Sequence, residues 1–105
     1  MQRSQILWVA QSYTLPQSGV KKHNHPYYHL FYIHGGEGIF TLREQEQFLR
    51  AGDCLLVPPE LDHAYRNDSE MPLEYLEVKF TLASSPQDYH LRQEPCVARN
   101  RLAGL

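Results

Sequence analysis

The sequence predicts an all-β domain, a sandwich or barrel of many short strands. Three observations predict it. Seven prolines and six glycines divide the 105 residues into short segments, and few of these read as helix. The segments between the breaks are strand-length and recur at regular spacing with Gly/Pro punctuation. The longest, Leu73 to Leu82, alternates Leu76, Val78, Phe80 and Leu82 with Glu77, Lys79 and Thr81. That is the two-residue period of a strand with one buried and one wetter face.

Taken in order, Ile6 to Ser12 is a strand, and Pro16 to Lys22, rich in turn formers, reads as a loop. His29 to His34 is a strand, Gly35-Gly36-Glu37-Gly38 a tight turn, and Ile39 to Leu42 pairs back as a hairpin. Arg43 to Gln47 reads as a polar turn before a strand that starts at Phe48-Leu49. Gly52-Asp53 opens the strand Cys54 to Val57, which Pro58 and Pro59 end because neither can donate to a sheet ladder. His63 to Asn67 is a further short strand, followed by a turn through Asn67-Asp68-Ser69 and Pro72. Beyond Ala83 the pattern fails. The barrel is therefore expected over residues 1–83, with 84–105 a C-terminal tail holding a short helix or the start of a linker.

A chain of this length makes one small domain that buries roughly 60–70% of its unfolded surface, enough for a core without staples. Its net charge of −2 is a poor match to a phosphate backbone, so this segment itself is expected to contact no nucleic acid. No stretch approaches the ~20 apolar residues of a membrane span, and no signal peptide is read at the N-terminus. Cys54, in an apolar run, and Cys96, in the tail, make no disulfide framework, and nothing in the sequence places them together. The expected setting is cytoplasmic.

The chemistry concentrates in histidines. His23-Asn24-His25 is followed by His29 and, beyond two turns, by His63. Neutral imidazole is the commonest metal ligand. On a strand His23 and His25 share a face, Pro26 lets a bend bring His29 back, and His63 must arrive from another strand. His23, His25, His29 and His63 are thus candidate ligands for a divalent transition metal (zinc, nickel, iron, manganese or copper), among which imidazole alone does not choose. The competing reading makes them polar pocket residues. His34 and His90 read as solvent-exposed bystanders. Tyr27, Tyr28, Phe31, Tyr32, Tyr65 and Tyr75 form an aromatic-rich set. Tyr65 shares a strand face with His63, so His25, Tyr32, His63 and Tyr65 are the candidate ligand-binding residues. No phosphate loop, nucleophile elbow or zinc-finger cysteine spacing occurs, and no catalytic residue is assigned.

The run from His23 to Asn67 resembles the two cupin motifs. The first reads His23-Asn24-His25, three residues, His29 where the family carries Glu, six residues, Gly36. The second reads Gly52, five residues, Pro58-Pro59-Glu60, two residues, His63, three residues, Asn67, with Glu60 in place of the usual Gly. The resemblance implies a double-stranded β-helix, a cupin jelly-roll barrel. Within cupins the chain is most similar to the effector-binding domain of AraC-type transcription regulators. His25-Pro26-Tyr27-Tyr28-His29-Leu30-Phe31-Tyr32, Gly52 to Pro59 and Glu74 to Phe80 carry that similarity. It implies a small-molecule effector, with a sugar the first class to test, a homodimer, and DNA contact through a helix-turn-helix half that nothing here matches. The alternative function is a small metal-dependent cupin enzyme, an oxygenase or isomerase, using the four histidines.

Overall fold

A computed structural model describes residues 3–83 and 94–99. Among them are nine strands: β1 (Gln5–Thr14), β2 (Ser18–His23), β3 (Tyr28–Gly35), β4 (Glu37–Leu42), β5 (Gln45–Arg50), β6 (Cys54–Val57), β7 (His63–Asn67), β8 (Leu73–Thr81) and β9 (Cys96–Ala98). They form two sheets, ordered β1-β8-β3-β6-β9 and β2-β7-β4-β5, with antiparallel pairing throughout. Phe31, Ile33, Phe40, Leu42, Leu49, Leu55, Val57, Tyr65, Leu73 and Tyr75 fill the space between the sheets. Among the described residues no helix is long and apolar enough to cross a membrane.

Several elements depart from the sequence reading. Pro16 to Lys22 is not a loop throughout, because Ser18, Gly19 and Val20 pair with Asn67, Arg66 and Tyr65 of β7. Gly19 is there for close approach rather than for turning: a Cβ on it would lie 2.5 Å from the Tyr65 carbonyl oxygen. The expected polar turn Arg43 to Gln47 shrinks to Arg43-Glu44, with Arg43 at φ 56°. Gln45 and Gln47 already belong to β5, opposite the buried Leu42 and Phe40. Gln45 is exposed and Gln47 half-buried on the face where Leu49 is buried, and these polar residues hid the strand's period. In the tail, Cys96–Ala98 forms β9 against β6, with Val97 packed on the core. Cys96 pairs with Leu56 and Cys54 with Ala98, so the two cysteines lie on adjacent strands after all. The short helix or linker expected of the tail falls mainly on residues 84–93 and 100–105, outside the described residues, as does His90.

The face assignment of β8 is reversed. Leu73 and Tyr75 are buried in the core, and alternation carries Glu77 and Lys79 to the same inner face, opposite Phe31 and His29 of β3. Leu76, Val78 and Phe80 lie on the outer face, half-buried. Glu77 tolerates the interior because Ser12 and His29 hydrogen-bond its two carboxylate oxygens.

Candidate metal and ligand site

Four histidines converge at one end of the barrel, delivered by three different devices. A one-residue irregularity in the β2–β7 pairing sets His23 opposite His63, although Val20 already pairs with Tyr65. His25 lies beyond the end of β2, in the connection to β3, so a turn and not strand alternation brings it to His23. Glu60 helps to hold that connection: its amide donates to the His25 carbonyl at 2.9 Å from a left-handed backbone, φ 67°. A glutamate thus holds a left-handed conformation that favours glycine, at the position where the cupin motif carries one. His29 is on the inner face of β3, against Phe31. The ring centroids of His63 lie 4.2 Å from His23, 4.9 Å from His25 and 6.0 Å from His29.

The hydrogen bonds assign the tautomers. Nδ1 of His23, His25 and His63 faces the carbonyl oxygen of Lys21, Tyr27 and Leu61 at 2.7, 3.2 and 2.8 Å. A carbonyl only accepts, so each Nδ1 carries the hydrogen and each Nε2 of a neutral ring presents a lone pair. His29 is turned the other way. Its Nε2 donates to Glu77 Oε1 at 2.8 Å, leaving Nδ1 as the lone pair. That Nδ1 faces His25 Nε2 at 3.3 Å. Two lone pairs at this separation repel unless a proton or a cation lies between them. His63 Nε2 is buried and has no hydrogen-bond partner among the described residues.

The rings of His25, His29 and His63 are held neutral, as metal ligation requires. Burial, and then the neighbouring His29, lower the pKa of His25 to about 4. Burial also lowers His63 to about 4, against the opposing bond to the Leu61 carbonyl. His29 is pushed down by burial despite Glu77, while the His29 hydrogen bond pushes Glu77 down. Both shifts agree with a neutral imidazole donating to an ionised carboxylate, so the 2.8 Å pair is a hydrogen bond rather than an ion pair at neutral pH.

The donor set fits a transition metal. The ligand atoms of His23, His25 and His63 lie within 4.8 Å of one another. Nitrogens on opposite sides of a zinc ion with ~2.1 Å bonds are about 4.2 Å apart, and neighbours in a tetrahedral shell about 3.4 Å. In a tetrahedral shell an ion would draw the widest of these pairs together by up to about 1.4 Å, and His29 lies outside this group of three. The His25–His29 separation already suits two neighbours. Glu77 is the outer-shell carboxylate that such histidines usually carry.

The aromatic candidates separate. Tyr65 lies in the core, stacked on Phe40, with its hydroxyl on that of Tyr75 at 3.3 Å. Tyr32, 40% exposed, alternates with buried Phe31 and Ile33 and points to the outer face, away from the histidines. Tyr27 does reach the site, stacked on His25 at 4.0 Å and 7°. His34 is half-exposed near Glu74. Sequence reasoning missed Glu77, Ser12, Lys79 and Trp8. The available signal was two opposite charges at alternate positions following Leu73 and Tyr75, which marks the face that enters the barrel.

The model of the AraC-like ligand binding domain matches residues 8–99. The chain belongs to the AraC-like ligand-binding domain family. Solved structures agree on the fold, the cupin double-stranded β-helix. A predicted oxalate decarboxylase from Thermotoga maritima is 28% identical, with a TM-score of 0.70 over 73% of this chain and 68% of its own. YhaK from Escherichia coli is 16% identical with a TM-score of 0.73, covering 96% of this chain, which spans 45% of that protein. A Cupin 2 conserved barrel domain protein from Salinispora arenicola is 19% identical with a TM-score of 0.65, over 77% and 76% of the two chains. Curated proteins give no match.

Proposed function

We propose that this AraC-like domain is a cytoplasmic small-molecule sensor whose effector binds beside a histidine-held divalent metal. The observation that carries the metal is the convergence of three imidazoles, His23, His25 and His63, with the His29 lone pair beside that of His25, each ring fixed from behind by a carbonyl or by Glu77. His23, His25, His29 and His63 would hold the ion, which supplies a Lewis-acidic position for an effector oxygen. The domain's own residues do the rest. His25, His29 and His63 bind as neutral rings without a proton to displace, Glu77 fixes His29, and half-buried His23 and His25 leave the site open at the rim. The effector then acts by population shift, favouring one arrangement of a homodimer. In that reading DNA is contacted by a helix-turn-helix half, not by these residues.

The enzyme reading has one specific support, that the same histidine cluster suits a catalytic centre as well as a binding one. Elemental analysis of untagged protein, followed by an oxygen-consumption screen, separates the readings. About one equivalent of a transition metal without turnover supports the sensor, and turnover lost in His25→Ala supports the enzyme. A metal-free chain that resists reloading sinks the metal in both.

A further inference from the structure

Lys79 sits on the inner face of β8, opposite His29 of β3 on one side and Trp8 of β1 on the other. A register irregularity between Ile6 and Trp8 inserts Leu7 as an extra residue and so turns Trp8 toward that face. The Lys79 ammonium lies 5.9 Å from the centroid of Trp8 and 6.0 Å from that of Tyr27. Tyr27 in turn stacks on His25. Lys79 makes no ion pair with a described residue. The carboxylate nearest in sequence, Glu77, has one oxygen on His29 and the other on Ser12. Lys79 is close enough to His25 and His29 to disfavour their protonation. Trp8 keeps 54% of its surface exposed.

Charge decides what this corner is built to take. With His29 at the glutamate position, none of the four candidate ligands is a carboxylate, so a divalent ion keeps its full charge in the first shell. Lys79 adds another positive charge, and Glu77, one bond chain behind His29, compensates only part. An anionic oxygen donor satisfies both cations at once, whereas a neutral hydroxyl satisfies neither fully. The two aromatic rings flanking the ammonium offer an apolar wall beside it. We propose that the site takes a small organic acid, its carboxylate between Lys79 and the histidines and its apolar body against Trp8 and Tyr27. This rests on the sensor reading and names its ligand class as a carboxylate rather than a sugar.

Trp8 is the single tryptophan of the chain, so its fluorescence reports on this corner alone. The test titrates chelated and zinc-reloaded protein with acetate, benzoate and succinate, and with benzamide and glucose as neutral probes. Saturable quenching by benzoate is expected, at least tenfold tighter than by benzamide and tighter again with zinc. Lys79→Met should weaken benzoate at least tenfold with circular dichroism unchanged, and Lys79→Arg should restore most of it. Calorimetry on Trp8→Leu should show benzoate weakened more than acetate. Equal binding of benzamide, unaltered affinity in Lys79→Met, tighter binding of glucose, or no binding of any acid would each overturn the proposal. The titration reads binding alone. Turnover of a bound acid would fault the sensor reading and leave the subsite standing, while failure to take up zinc would fault the metal and leave the Lys79 dependence in chelated protein to be read directly.

Discussion

Acidification of the chelated domain should destabilise it through His63. This ring is 2% exposed, its Nε2 has no partner among the described residues, and its pKa falls from the ordinary 6.5 to about 4. The folded state therefore binds the proton less readily than the unfolded chain. The stability that depends on neutral His63 is fully present above pH 6.5, falls as pH drops toward 4, and changes no further below that. At about 1.4 kcal/mol per unit the full difference is about 3 kcal/mol, of which about 2 kcal/mol is gone by pH 5. Against a typical total of 5–15 kcal/mol this is a large share. His25 adds less than its shift suggests, because it is only half-buried and solvent screens it. Glu77, with a depressed pKa, contributes in the same direction but only below the carboxylate range, so the assay stays above pH 5. Urea unfolding at intervals from pH 7.5 to 5, in chelator, measures the slope. The slope should approach 1.4 kcal/mol per pH unit for each proton taken up on unfolding, and His63→Phe, which keeps a ring but cannot titrate, should flatten it by about one proton's worth. A wild-type slope near zero, or the same slope in both proteins, would show that the ring is not held buried and neutral, and the lone-pair argument for the site would go with it.

Other perturbations test other parts of the molecule. Asn67 is fully buried, donates to the Thr14 and Met71 carbonyls and accepts from Ser69; Asn67→Ala should cost at least about 2 kcal/mol in urea unfolding, since each orphaned group costs about 1–3. Glu60→Gly relieves a left-handed backbone worth about 1–2 kcal/mol, offset by about 0.5–1 of chain entropy, so a gain of about 0.5–1 kcal/mol is expected. Glu77→Gln removes the charge behind His29 and should weaken zinc about tenfold in competition with a chromophoric chelator, with the fold retained. Phe31, fully buried among Phe40, Tyr65 and Tyr75, should cost about 3–5 kcal/mol as Phe31→Ala.

Strands bounded by proline and glycine were legible because those residues act locally. Pro58-Pro59 must stop a ladder, and His63–Asn67 and Cys54–Val57 stand as read. Strands with weak local pattern were not. β2 exists through its pairing with β7, β5 carries glutamines on the face of its one buried residue, Leu49, and β9 gains its meaning only against β6. The aromatic set shows the same limit. Composition grouped Tyr32 with Tyr65, and the pleat then sent Tyr32 outward and Tyr65 into the core.

The sequence by itself determined the all-β class, the cupin resemblance and the identity of four histidines, because periodicity, turn chemistry and motif spacing are properties of neighbouring residues. The tertiary structure alone decided that those histidines meet, which nitrogen each presents, and that Glu77, Lys79 and Trp8 join them. Those facts depend on register between residues up to 76 positions apart, where a shift of one residue would turn every side chain to the other face.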